Sequence, residues 1–159
     1  MVKPKLVKTD LDRPIAELVG ETDHKTLVVW ACDCAERVLP YFEAKYPADD
    51  RPKLAIEAGR AWVSTGVFRM VTIRRASLAS HAAARIAEES SAARSAARAA
   101  GQAVATAHAA GHAIVAAIYA ATAVRDSVEA TNAETAVSAE RAWQYQHLQA
   151  LGENLVVSG

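Results

Sequence analysis

Several features are scarce or missing in this 159-residue chain, and each omission narrows the field. There is no net charge: 18 Lys and Arg balance 18 Asp and Glu. A protein that grips nucleic acid by neutralising phosphates needs a basic surplus, so nucleic acid is not an expected partner. Cysteine occurs only at positions 32 and 34. A C-x-C pair on a helix points its side chains about 200° apart, which argues against an internal disulfide. The start, MVKPKLVKTDLDRP, has no apolar core of a signal peptide. No run of about 18 residues is free of Arg, His, Glu or Ser, so no membrane span is expected. Together these point to a cytoplasmic protein with reduced thiols. Strand signals are nearly missing too: KLVK and NLVV are too short to build a sheet. No G-x-x-x-x-G-K-[ST], G-x-G-x-x-G, G-x-S-x-G or C-x-x-C occurs, so neither a nucleotide loop nor an acyl-enzyme elbow is indicated.

What is present reads as helix. Thr22 or Asp23 caps a first long helix whose stripe runs Leu27, Trp30, Ala31, Cys34, Ala35 and Val38. Pro40 should stop or kink it near Leu39. A second helix starts at Asp50, with Pro52 in its first turn, and ends at Gly66. A third covers Arg69 to Ala87, and Ser90 or Ser91 caps a fourth. Gly111 marks the junction to a fifth, and a sixth follows TNAE. LDRPIAELV adds a further helical turn. The expected fold is all-α, a compact bundle or short stack of six to seven helices. Residues 1–20 form an arm, 21–152 one helical domain and 153–159 a frayed tail.

The second half is poor in charge and rich in alanine. Residues 1–75 carry 13 Lys and Arg and 11 Asp and Glu, whereas residues 76–159 carry 5 and 7. Alanine takes 21 of the 45 positions from 76 to 120, which favours helix and close helix contact. Each alanine buries little area, so larger residues must carry the core: Trp30, Phe42, Trp62, Ile73, Leu78, Ile86, Ile114, Ile118, Tyr119 and Trp143. An alanine face left exposed would favour a homodimer.

Against this bland background a few polar residues stand out. His108 and His112 are four apart and would share one helix face as a metal pair, unless Gly111 separates two helices. In that case they line a junction and serve the backbone. H-E-x-x-H does not occur, and neither a metal nor a cofactor is assigned. His81 and Arg85 share a face at the same spacing. Asp33 can pair with Arg37 on its own helix or reach Arg60 or His24. Glu57 and Arg60 can pair at i,i+3. Cys34 falls on the apolar stripe and reads as a small hydrophobe. The chosen ligand-binding set is Asp33, Arg60, His81, Arg85, His108, His112 and Tyr119, taken to converge in the fold.

The stretches DHKTLVVWACDCAERVLPYFEAKYPADDRPKLAIEAGRAW, ASLASHAAARIA and SAARAAGQAVATAHAAGHAIVAAIYAATAV occur in that order. Over Asp23 to Val124 they resemble the Imm-5-like family of bacterial putative immunity proteins. The resemblance implies protection of the host by binding a toxin protein or a small toxic molecule. A polar cap such as Asp is expected from the family at position 111, where this chain has Gly111. Two other readings come from the residues themselves: a small-molecule-binding self-resistance protein with a His, Arg and Asp pocket, and a small helical enzyme using His81, His108 and His112.

Overall fold

The computed structural model describes the backbone of residues 3–158 and the side-chain surroundings of residues 3–153. Met1 and Val2 of the expected arm and Gly159 of the expected tail lie outside the described residues. The described residues form seven helices: α1 Asp12–Gly20, α2 His24–Glu43, α3 Arg51–Thr65, α4 Met70–Ile86, α5 Ala92–Ala105, α6 His112–Ser127 and α7 Ala130–Ser158. No strand occurs among them, so the chain is all-α. No helix among the described residues is long and apolar enough to cross a membrane.

Local chemistry sets most of the ends. The Asp23 carboxylate accepts from the Thr26 amide at 3.2 Å and from the Thr26 hydroxyl at 2.6 Å, capping α2. Ser91 caps α5 by accepting from the Arg94 amide at 3.1 Å. Gly66 closes α3 with φ of 70°, a left-handed turn that a Cβ would strain. Pro40 does not end α2, which continues to Glu43. Pro40 lacks the N–H that would bond one turn back, but Phe42 beyond it is buried and holds the last turn in place.

The helices make two layers. In one, α5 lies between α4 and α6; in the other, α2 lies between α3 and α7. The layers meet where α2 covers α5 and α6, and α3 covers α4 and α5. The short α1 seats Ile15 and Val19 against α6 and α7. α5 is thus enclosed on most sides, and its alanines make that possible: Ala93, Ala96, Ala97, Ala99, Ala100 and Ala103 are all buried. α6 turns a second alanine stripe inward, so no other copy of the chain is needed to cover either stripe. Two glycines mark the tightest approaches. A Cβ on Gly59 would lie 2.8 Å from the Cys32 sulfur, and one on Gly101 2.8 Å from the His81 ring.

The core differs from expectation at two positions. Trp30, Phe42 and Ile73 are buried, and Trp62, Ile114, Ile118, Tyr119 and Trp143 partly so. Leu78 and Ile86, expected inside, are 57% and 63% exposed. α4 turns its small residues, Ser80, Ala83 and Ala84, onto α5 instead, and this close packing sends the large ones outward.

A buried polar chain joins the layers. The Trp30 indole donates to the Gln144 carbonyl at 2.8 Å, and the Gln144 amide donates to the Ala117 carbonyl at 2.9 Å. Arg141 is fully buried and donates to Gln144 Oε1 and to Asp12 Oδ1, each at 2.8 Å. Four helices, α1, α2, α6 and α7, therefore share one network.

Candidate functional site

The selected polar residues do not meet at one point. They divide among three places.

The first is the outer side of α4, α5 and α6. Arg94, Arg98 and Gln102 recur every four residues on the part of α5 that is not enclosed. Arg98 donates to His81 Nδ1 at 2.9 Å, and His112 Nδ1 is 2.7 Å from Gln102 Oε1. Arginine keeps its protons, so His81 Nδ1 must accept and the ring is neutral, with its proton on Nε2. Its pKa is pushed down to about 4, first by burial and then by the positive charges of Arg98 and Arg85. The Arg98 guanidinium is also shifted down, by burial and by repulsion from Arg94 and Arg85. Arg85 is exposed, and Tyr119 lies beside Arg98. His81, Arg85, His112 and Tyr119 thus line one stretch of surface.

A pH effect follows. The folded-state pKa of His81 lies below its ordinary 6.5. The unfolded chain therefore takes up that proton first as the solution acidifies. The stability tied to neutral His81 is fully present above pH 6.5 and drains away as pH falls toward 4. Thermal melts between pH 7.5 and 4.5 should show a smaller decline for His81→Gln than for the parent protein.

The second place is the α2–α3–α7 side. Asp33 accepts from Arg60 at 2.9 Å and lies 2.7 Å from His147 Nε2. Arg60 also pairs with Glu36. The Asp33–Arg60 contact matches expectation, but the i,i+4 and i,i+3 alternatives are not used. Arg37 instead forms a two-pronged pair with the buried Glu140 and lies 3.8 Å over the Trp143 ring. Arg60 leaves Glu57 for residues on α2. Among the described residues no hydrogen bond or ion pair joins this group to His81, because α2 and α3 sit in the other layer from α4 and α6. His147 and Glu140 were missed, and Trp143 was expected only as a core residue, because α7 reaches α2 from more than 100 positions away.

The third place is the exposed side of α4 and the loop before it. His108 lies here, exposed, with its ring 6.5 Å from that of Phe68. His108 precedes the junction at Gly111 and His112 opens α6, so the pair does not share a helix. Val67, Phe68, Met70, Val71, Leu78 and Ile86 are all exposed here, most of the large apolar side chains left uncovered among the described residues. Four arginines, Arg69, Arg74, Arg75 and Arg85, lie among them, and no acidic residue occurs from 58 to 87. No ion pair involves any of the four among the described residues. The balanced total charge thus conceals a local surface of one sign.

Neither cysteine is poised for chemistry. Burial pushes the Cys32 thiol up to about 12 and the Cys34 thiol up as well. Among the described residues no three His, Cys, Asp or Glu side chains stand together as a metal site would require.

The sequence profile of one family, described as "Imm-5 like putative immunity protein", matches residues 17–151. The match takes in α7 up to Leu151 as well as the stretches that first suggested the resemblance. No curated protein and no solved structure matches the chain.

Proposed function

Because the chain belongs to the Imm-5 like putative immunity protein family, we propose that it protects its host by binding a toxin protein directly through the face Val67–Ile86. The observation that carries this reading is the outward turn of Leu78, Ile86, Val71 and Phe68. Large apolar side chains on one side of a helix need a reason to face water when smaller ones face the core. Interfaces place such residues at their centre and favour arginine over lysine around them. The four unpaired arginines set the chemistry of the partner: an apolar patch bordered by carboxylates, as at a cation-binding or substrate-binding cleft. Apolar side chains between the arginines suit a protein surface better than a phosphate backbone.

The reading requires a particular toxin in the host. The untagged protein is purified from its own host, and its mass is measured under native and denaturing conditions. A co-purifying protein is then expressed alone and together with this chain. Growth arrest by the partner alone, relieved by the chain, is the expected result. A bare mass, or a partner with no effect on growth, would contradict it.

A further inference from the structure

Beside the α4 face, and separate from it, a concave site lies at the start of α5. We infer that it binds a phosphoryl group, as free phosphate or as the phosphate ester of a small metabolite. The cavity measures about 290 Å³. Its walls present six donors: Lys5, Ser90, Arg94, Ser95, Arg98 and Tyr119. They come from the N-terminal arm, the turn before α5, α5 itself and α6.

Three observations set this place apart from an ordinary basic surface. First, the arginines are held but not neutralised. Arg98 is fixed by neutral His81, which takes one N–H and offers no charge in return. Arg94 makes only a long 3.4 Å contact, to the Ala87 carbonyl. Neither arginine has a carboxylate partner among the described ion pairs. Two guanidiniums kept near each other without an anion repel; an oxyanion between them reverses the sign of that energy. Second, Ser95 is only 7% exposed, lines the cavity, and its hydroxyl forms no hydrogen bond among the described residues. The rest of the residue is enclosed, but its oxygen keeps access to the cavity, so the hydroxyl is free to bond an oxyanion held there. Third, the positive end of α5, a helix of 14 residues, adds potential of the same sign.

The cavity also holds two acids. Asp126 is already taken by Lys3 at 2.6 Å and Arg125 at 2.9 Å. Glu89 is exposed at the rim. Counting both acids with Lys3, Lys5, Arg94, Arg98 and Arg125 leaves an excess of three positive charges in a chain of zero net charge. Gly101 belongs to the same device. Its missing side chain admits the His81 ring, which in turn sets the direction of Arg98.

The test is calorimetric titration of the full-length protein with sodium phosphate against sodium chloride of equal ionic strength. Saturable one-to-one binding of phosphate is expected. Arg98→Gln and Ser95→Val should each weaken it at least tenfold, with helical content unchanged by circular dichroism. Glu89→Gln should tighten it, and Arg74→Gln on the α4 face should leave it within twofold. If Arg98→Gln does not fold, Arg94→Gln takes its place. Phenyl phosphate separates the two sources: tenfold tighter binding than inorganic phosphate identifies an ester ligand, and equal binding identifies free phosphate. Absence of saturable binding, equal binding by the Arg98 and Ser95 variants, or acetate binding as tightly as phosphate would overturn the inference. The toxin-binding reading is unaffected by that failure, since it rests on residues outside this cavity.

Discussion

Replacing Asp12 by alanine should lower the unfolding free energy by about 3 kcal/mol, a drop of roughly 6–12 °C in melting temperature for a chain of this size. The reason lies in the partner. Arg141 has a side chain only 1% exposed, and Asp12 supplies its one carboxylate contact among the described residues. Its Nε–H already lacks a partner in the fold. Without Asp12 a buried guanidinium stays charged, because arginine does not give up its proton at any ordinary pH. The remaining contact to Gln144 carries no charge. The reverse substitution should cost less. Arg141→Met removes the buried cation and fills similar space, and Asp12, 37% exposed, rehydrates. Chemical denaturation of both variants reads the asymmetry directly. A larger loss for Arg141→Met than for Asp12→Ala would show that packing, not an uncompensated charge, governs this network.

The double substitution Val71→Asp with Leu78→Asp should weaken toxin binding at least 100-fold, about 3 kcal/mol, while leaving the fold intact. Both side chains are mostly exposed in the free protein, at 67% and 57%. Exchanging them for carboxylates removes little buried area, so stability should change by about 0.5 kcal/mol or less. In a complex the same carboxylates would be desolvated against apolar surface and would repel the acidic border that the arginines are arranged to meet. Titration calorimetry on the purified complex gives the affinity, and denaturant melts give the stability. Unchanged affinity would remove this face from the interface.

Much of the fold was legible in the sequence because helix ends are local. Asp23, Ser91 and Gly66 act within one turn of chain, and an alanine stripe reads as helix in any context. The orientation of α4 was not legible. Leu78 and Ile86 outrank Ser80, Ala83 and Ala84 on any scale of hydrophobicity, yet the small residues win the core because α5 approaches closely. Which stripe faces inward depends on the neighbour: the alanines of α5 announce close helix contact, but not which side of α4 will meet them. Asp33 and Arg60 were legible as partners since each lies beside the apolar face of its own helix. The phosphoryl pocket was half legible. The spacing of Arg94 and Arg98 puts them on one face, but Lys5 and Tyr119 arrive from distant parts of the chain. Arg141, Gln144 and His147 follow one another at three-residue spacing, but their partners Asp12, Ala117 and Asp33 lie on α1, α6 and α2, far off in the chain, so the spacing alone gave no signal.

The claim that the Val67–Ile86 face holds the toxin is tested most directly by hydrogen exchange on the free protein and on its complex. The loop between α3 and α4, from Gly66 to Arg69, has exposed side chains and lies outside the helical ladder, so its amides should exchange quickly in the free state. If this face is the interface, exchange at that loop and the first turn of α4 slows in the complex, and exchange along α1 and α7 does not change. Slowing confined to α1 and α7, with the α3–α4 loop as fast as before, would contradict it.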